Sequence, residues 1–425
     1  MIAFSRRRLL AGLALLPWWA RAGQGRGVAA RVLVVGGGFA GATAARLLIQ
    51  AEPGLEVVLV EPKAVYHTCP MSNRVIAGFD PLDRIAWSFR ELERLGVRHL
   101  RQAARDIDPA GRRVQLDDGR WLGYDHLVLA PGIEMRFDVI EGYDAAAAER
   151  LPHAWQAGTQ TELLRRQLQA MDDGGLVLMS VPDNPYRCPP GPYERASLVA
   201  DYLKRHKPRS KLLILDAKDS FSKQALFMQG WRRHYPEVIE WVGHAGGGRV
   251  VRADAVRREL ECEFGARHRA AVINLIPPQR AASIAARAGL TDASGWVPVE
   301  PGRFRARADG RITVLGDASV AAPMPKSAFS AQAQAHLAVA HLLAELRGEP
   351  PQAPALSNTC YSLLTPDDAV SISARYRVES DLLGEVPGSL RLSPLDGDDA
   401  LRRHEAELAA AWYVASCGAA WGSSA

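Results

Sequence analysis

The stretch RVLVVGGGFAGATAARLL, residues 31–48, leaves this chain few ways to begin folding. Its apolar start, Val32 to Val35, predicts a strand. Gly36, Gly38 and Gly41 follow in the G-x-G-x-x-G spacing, and an alanine-rich run then predicts a helix. This is the order of a dinucleotide site. The first glycine permits the tight turn, the second lets backbone approach a pyrophosphate, and the third packs helix on strand, with the helix N-terminus facing the negative charge. Glu61, twenty residues past Gly41 at the end of the strand LEVVLVE, is placed to accept the ribose hydroxyls of an adenosine.

The fingerprint by itself suits NAD or FAD. Two later stretches favour FAD: YDHLVLAPGIEMRFD, an apolar strand ending in Ala130, Pro131 and Gly132, and DGRITVLGDAS, another ending in Gly316 and Asp317. They resemble the second and third FAD contacts of two-dinucleotide flavoproteins. Asp317 would hydrogen-bond the ribityl or pyrophosphate part, and a helix starting near Ser327 would aim backbone N–H groups at the flavin pyrimidine end.

In that class a second nucleotide-binding unit lies between these segments and carries its own glycine loop. Here the corresponding stretch is GGLVLMSVPDNPYRCPPGPYERASLVADYLKR. A strand from Leu176 to Ser180 and a helix from about Glu194 are expected, but the turn between them holds Pro182, Pro185, Pro189, Pro190 and Pro192 with Gly191 as its lone glycine. Proline removes backbone donors and fixes φ, so this turn is not expected to cradle a pyrophosphate, and no tight NAD(P)H site is expected. Cys188 stands where a reactive group would face the flavin.

Composition narrows the class further. The 425 residues allow two or three domains at about 100–200 residues each, and 48% hydrophobic with 23% charged residues suits a folded globular chain. The first 22 residues read as a cleavable export signal: Arg6, Arg7 and Arg8, a short apolar stretch from Leu9 to Leu16, and Ala20-Arg21-Ala22 as a cleavage site. The adjacent arginines resemble the twin-arginine type, whose pathway exports folded proteins, so the periplasm is expected. Removing Arg6, Arg7, Arg8 and Arg21 takes the net charge from +5 to +1, which leaves no electrostatic footprint for nucleic acid. No later segment is apolar and long enough to suggest a membrane span.

Five cysteines remain: Cys69, Cys188, Cys262, Cys360 and Cys417. An odd number in an exported chain implies a free thiol, an intermolecular bridge or a thiol spent otherwise, and no spacing is that of a metal site. Around these cysteines the resemblance becomes specific. YHTCPMSN at Cys69, YRCPPGPYERA at Cys188, PKSAFSAQAQAH near Lys326, NTCYSLL at Cys360 and the late Trp412-Tyr413 pair resemble the flavoprotein subunit of flavocytochrome c sulfide dehydrogenase, across nearly all of the mature chain.

That resemblance implies a thioether from Cys69 to FAD, a redox-active disulfide between Cys188 and Cys360 beside the flavin, and Glu194 as the acid–base residue. It implies attack of hydrosulfide on the disulfide, release of one thiolate, Cys360, and passage of the electrons to FAD. Lys326 and Trp412 belong to the implied flavin surroundings. Cys262 and Cys417 carry no motif and are expected as buried thiols. The chain has no Cys-x-x-Cys-His, so the haem implied for electron discharge belongs to a c-type cytochrome partner, for whose docking the region of Trp412 and Tyr413 is the expected contributor.

The expected fold class is α/β, a two-dinucleotide-binding-domain flavoprotein of glutathione-reductase-like form with a C-terminal α+β domain. Its expected parts are a split FAD domain at 30–140 and 271–348, an inserted relic of the second nucleotide domain at 141–270, and a flavin-facing interface domain at 349–425. Rival readings are a sulfide:quinone oxidoreductase, an NADH dehydrogenase or disulfide reductase, opposed by the missing second glycine loop, and a non-catalytic flavin-binding accessory subunit.

Overall fold

The computed structural model describes residues 30–422 apart from residues 352 and 354, so the basic run and cleavage site expected in the first 22 residues lie outside the described residues. The chain opens with β1 (Arg31–Val35), α1 (Phe39–Ala51), β2 (Glu56–Val60), α2 (Ser72–Ile76), β3 (Arg98–Leu100) and β4 (His126–Leu129). A second series follows: β5 (Leu176–Val181), α3 (Gly191–His206), β6 (Lys211–Asp216), α4 (Gln224–His234), β7 (Ile239–Val242) and β8 (Val272–Leu275). Next come β9 (Ile312–Val314) and α5 (Ala328–Arg347). The strands β10 (Leu356–Thr365), β11 (Asp368–Glu379), β12 (Leu382–Glu385) and β13 (Arg391–Leu392) precede the last helix, α6 (Asp399–Trp421).

The fold is α/β. Strands β9-β4-β1-β2-β3 form a parallel five-stranded sheet, and β7-β6-β5-β8 form a parallel four-stranded one. Val32, Leu33 and Val34, and Val57 to Val60 beside them, are all buried, as strands covered on both faces must be. Strand β9, far along the chain, completes the first sheet next to β4, with Val314 opposite Leu129. Gly132 and Gly316, just past these two neighbouring strands, therefore arrive at the same edge.

The C-terminal strands are antiparallel: β10 pairs with β11 over nearly its whole length, and β12 and β13 both pair with β11. Helix α6, capped by the Asp398 side chain accepting from Leu401 N–H, packs against this hairpin and against α1. It thereby ties its own last turn to the first glycine turn. No helix among the described residues is long and apolar enough to cross a membrane.

Candidate active site

One cleft gathers residues from all of these parts: Gly38, Cys69, Ala130, Gly132, Gly316 and Asp317 from the first sheet's loops, Cys188 and Glu194 at the start of α3, Cys360 on β10 and Trp412 on α6. Its glycine turn is shaped by close contact. Gly36 has φ 99°, and a Cβ there would stand 2.2 Å from the Ala130 carbonyl oxygen; one on Gly41 would stand 1.9 Å from that of Gly36. Gly38 instead faces the cleft, directly before α1, with the Tyr66 hydroxyl as the nearest obstacle to a Cβ at 3.2 Å. The helix N-terminus thus opens onto the space where a pyrophosphate would lie.

On the far wall, Ser327 caps α5, its hydroxyl accepting from Ser330 N–H at 3.0 Å and donating to Asn358 at 2.7 Å. A second helix N-terminus therefore points into the cleft. The Asp317 side chain is half-buried, its Oδ1 fully so and lacking any partner, and desolvation raises its pKa. An orphaned buried acceptor beside two helix N-termini and an open glycine turn fits an FAD that brings hydroxyl donors and a diphosphate.

Two of the expected contacts, Glu61 and Lys326, lie outside the residues that line the cleft. Glu61 is buried at the end of β2 and accepts from the N–H groups of Gly37 at 2.9 Å and Lys63 at 3.0 Å, outside the residues that line the cleft. A buried carboxylate takes the nearest donors, and here they belong to the glycine turn itself. Lys326 also points away: its ammonium donates to the carbonyls of Asp317 and Ser319, both at 2.8 Å, and lies 3.8 Å from the centre of the Trp296 ring. Burial lowers its pKa to about 8. Its structural work is to hold the Asp317 loop, while its own carbonyl accepts the Cys188 N–H at 2.7 Å.

Cys69 lies on the tight turn before α2, where its carbonyl accepts from Ser72 N–H and from the Ser72 hydroxyl, and its thiol lines the cleft. Trp412 lines it from α6, its ring stacked on Phe329 at 6.3 Å. Tyr413 turns the other way. It is buried, its hydroxyl 2.8 Å from the Thr68 hydroxyl and 3.1 Å from the Trp87 Nε1 that donates to it, so it is not available as a docking surface; helical geometry sends adjacent residues to different faces.

Cys188 and Cys360 both line the cleft, close enough for each thiol to shift the pKa of the other. No bond joins them in this structure, where all five cysteines are free. Cys188 has φ 57°, an uncommon conformation for a residue with a Cβ, imposed by the proline-rich turn that its carbonyl closes by accepting Gly191 N–H. The Cys360 thiol is pushed down to about 7, first by its hydrogen bond with Cys188 and, against burial, by the Lys223 ammonium. The same hydrogen bond, with burial, pushes Cys188 well up. Cys262 and Cys417 are buried away from the cleft, as expected.

Glu194 does not cap its own helix. Its carboxylate reaches outward, accepting from the Asn73 side chain at 2.7 Å and from Leu363 N–H, three residues past Cys360, at 3.0 Å. Burial raises its pKa, partly opposed by those two hydrogen bonds. Asn73, Arg187, Arg195 and Lys223 are the residues that motif reading missed. Arg195 is 2% exposed, donates to Asn73, His153, Ala154 and Asn274, and is lowered to about 10 by burial. Arg187, whose guanidinium donates to the Trp155 carbonyl, lies 4.0 Å from Asp317. Asn73, Arg187 and Arg195 sit inside the quoted motifs and were legible as their neighbours; Lys223 had no sequence signal.

Comparisons with known proteins agree with this geometry. Residues 161–277 match the family model of the central part of the sulfide dehydrogenase [flavocytochrome c] flavoprotein chain. Residues 352–416 match the flavocytochrome c sulphide dehydrogenase flavin-binding family, and residues 30–170 the pyridine nucleotide-disulphide oxidoreductase family. A sulfide dehydrogenase [flavocytochrome c] flavoprotein chain from Chlorobaculum thiosulfatiphilum is 56% identical over 45 residues, 11% of this chain and 94% of that sequence. Mitochondrial sulfide:quinone oxidoreductase of Mus musculus is 23% identical over 311 residues, covering 71% of this chain and 68% of that one. In three dimensions, the sulfide:quinone oxidoreductase of Aquifex aeolicus superposes with a TM-score of 0.74 at 17% identity, covering 93% of both chains. The flavin cleft, the facing cysteines and these matches together establish that the chain belongs to the flavoprotein family of flavocytochrome c sulfide dehydrogenase, FAD-dependent oxidoreductases of the pyridine nucleotide-disulphide oxidoreductase class that act on sulfide.

Proposed function

We propose that this protein oxidises sulfide with a redox-active Cys188–Cys360 disulfide and an FAD bound covalently through Cys69, and that it passes the electrons to a haem-bearing c-type cytochrome subunit in the periplasm. The observation that carries the reading is the meeting of Cys188, Cys360 and the half-buried Glu194 in one cleft with Cys69 and the glycine turn. Bound FAD would supply a two-electron acceptor there, held by Gly38 and the N-termini of α1 and α5, with Asp317 accepting from its hydroxyls. The chain's own residues do the rest. With the pair bridged, Glu194 takes the proton of hydrogen sulfide, the hydrosulfide sulfur bonds to Cys188, the disulfide breaks and Cys360 leaves as a thiolate.

We read the split FAD domain as 30–140 and 271–348, the inserted unit as 141–270 and the C-terminal unit as 349–425, the whole being glutathione-reductase-like in plan. In the inserted unit, Asp216 stands at the end of β6 where a nucleotide site presents its acid. Its carboxylate is already occupied by Tyr193 at 2.6 Å, Lys218 at 2.6 Å and Trp241 at 3.0 Å, which supports a unit turned from nicotinamide binding to cysteine chemistry.

The test is spectroscopic. Hydrosulfide should bleach the flavin absorption of the purified protein while NADH does not. Cys188→Ser and Cys360→Ser should each abolish the bleaching, and acid denaturation should leave the flavin on the Cys69 peptide. Bleaching that survives in either serine variant would defeat the disulfide reading. A sulfide:quinone oxidoreductase is the second reading, favoured by the extent of the Aquifex superposition; rapid reduction of quinone analogues with no reaction toward any c-type cytochrome would decide for it.

A further inference from the structure

Lys223 is 5% exposed, has φ 60° and directly precedes α4. Its ammonium donates to the Cys360 carbonyl at 2.9 Å, the Ser362 hydroxyl at 2.8 Å and the Val370 carbonyl at 3.1 Å. All three acceptors are neutral. Lys218 on the same loop is paired with Asp216 at 2.6 Å, whereas among the described residues no carboxylate reaches ion-pair distance of Lys223. A buried cation without an anion is costly, and a lysine in the left-handed region adds strain, so the surroundings must require it.

The charged and titratable groups that face Lys223 are Cys360 on β10, Glu194 on α3, Cys188 in the loop before α3, and Glu405 on α6. Glu194 is engaged by Asn73 and Leu363, and Glu405 by the hydroxyls of Ser371 and Ser393. Burial works against the charge on Lys223, and of the groups that favour it Cys360 acts most strongly, ahead of Glu194 and Cys188.

We propose that Lys223 is a positioning residue that makes the cysteine pair asymmetric, holding negative charge on Cys360 rather than Cys188. A hydrogen bond between two thiols is reciprocal and sets no direction by itself. Cys188 has claims of its own, since Arg187 adjoins it and α3 starts just after it, both favouring a thiolate there. Against them, Glu194 places a carboxylate in the first turn of α3 and Pro192 removes one of its donors. Lys223, fixed on the Cys360 strand by three hydrogen bonds, tips the balance. The order of the two thiols, Cys360 pushed down and Cys188 pushed up, agrees.

The inference rests on the proposed role of the pair, and it specifies the exchange step. One sulfur–sulfur bond forms between hydrosulfide and Cys188 while the Cys188–Cys360 bond breaks. The electron pair of the broken bond stays on Cys360, and the negative charge is conserved. A more stabilised thiolate leaves faster, so the cation gives the exchange its direction.

The test uses the full, flavin-loaded chain reduced with dithiothreitol and then freed of it. Alkylation by iodoacetamide is followed against pH, each cysteine being resolved by mass spectrometry. In the wild type Cys360 should be modified with a lower midpoint than Cys188. In Lys223→Met the Cys360 midpoint should rise by about one pH unit, about a tenfold loss of thiolate in the range below it. Lys223→Arg should restore the wild-type profile, which mere packing would not achieve. Lys223→Gln keeps a donor without the charge and makes the same demand where the methionine variant fails to fold. An unchanged Cys360 midpoint in a folded neutral variant overturns the proposal. Sulfide bleaching that survives in Cys188→Ser would instead overturn the redox-pair reading, and the alkylation profile would still decide the role of Lys223.

Discussion

Glu194 shows how one side chain is prepared for proton transfer by what surrounds it. Held between Asn73 and the Leu363 N–H, it has its carboxyl pKa raised by desolvation. A raised pKa keeps the acid protonated to higher pH, so the basic form needed to accept a proton from hydrogen sulfide is gained only above the ordinary carboxylate range. The rate of flavin reduction by sulfide should therefore rise with pH through that window. Glu194→Gln should lower the rate by about 10²–10⁴-fold and remove the rising limb, as read by stopped-flow absorbance across a pH series. A variant that is slow but keeps the same pH profile would show that Glu194 serves structure alone.

Among the elements, the strand, glycine turn and helix at the start of the chain separate folding from binding. A Cβ on Gly41 would run into the Gly36 carbonyl and one on Gly36 into the Ala130 carbonyl, whereas one on Gly38 would meet only the Tyr66 side chain at the edge of the cleft. Gly41→Ala should destabilise the protein by about 1–3 kcal/mol in denaturant titrations, since a methyl group there must displace backbone. Gly38→Ala should leave that stability nearly unchanged and weaken flavin retention when measured in a Cys69→Ser background, where no covalent link masks the loss. The second unit spends its turn differently. Its prolines set the left-handed Cys188 and bring its thiol to β10, which supplies Cys360, Ser362 and Leu363 from one short run.

For the molecule as a whole, α6 is the closing piece. Its last residue, Trp421, is 1% exposed, stacks on Tyr66 at 5.0 Å, meets Phe39 edge-on at 4.9 Å and donates to the Gly37 carbonyl at 3.2 Å. The end of α6 therefore braces the first glycine turn. Trp421→Ala should cost about 3–5 kcal/mol of stability in denaturant titrations, as truncating a large buried aromatic does, and should shift the flavin spectrum. Deleting residues after Leu408 removes Tyr413 and Trp421 together and should strip the flavin site as well as any partner surface. A truncated chain with an unaltered flavin spectrum would show that α6 is peripheral.

The first glycine turn was legible from the sequence because its spacing carries its chemistry, while the segments ending at Gly132 and Asp317 and the cysteines at 69, 188 and 360 were legible through the families that their motifs resemble. Glu194 was legible as a residue, but that its carboxylate leaves its own helix for Asn73 and Leu363 was not. For Glu61 and Lys326 the motifs were legible, but the partners of the carboxylate and the ammonium in the fold, the Gly37 N–H and the Asp317 carbonyl, were not. Adjacent letters parted as well, Trp412 lining the cleft and Tyr413 entering the core, because helical geometry assigns them different faces. Lys223 had no motif at all. Its place beside Cys360, 137 residues away in sequence, exists only because α4 packs under the β10 strand. Motifs record what the local backbone must do; which buried charge faces which thiol depends on contacts between elements distant in sequence, and only the tertiary structure decides those.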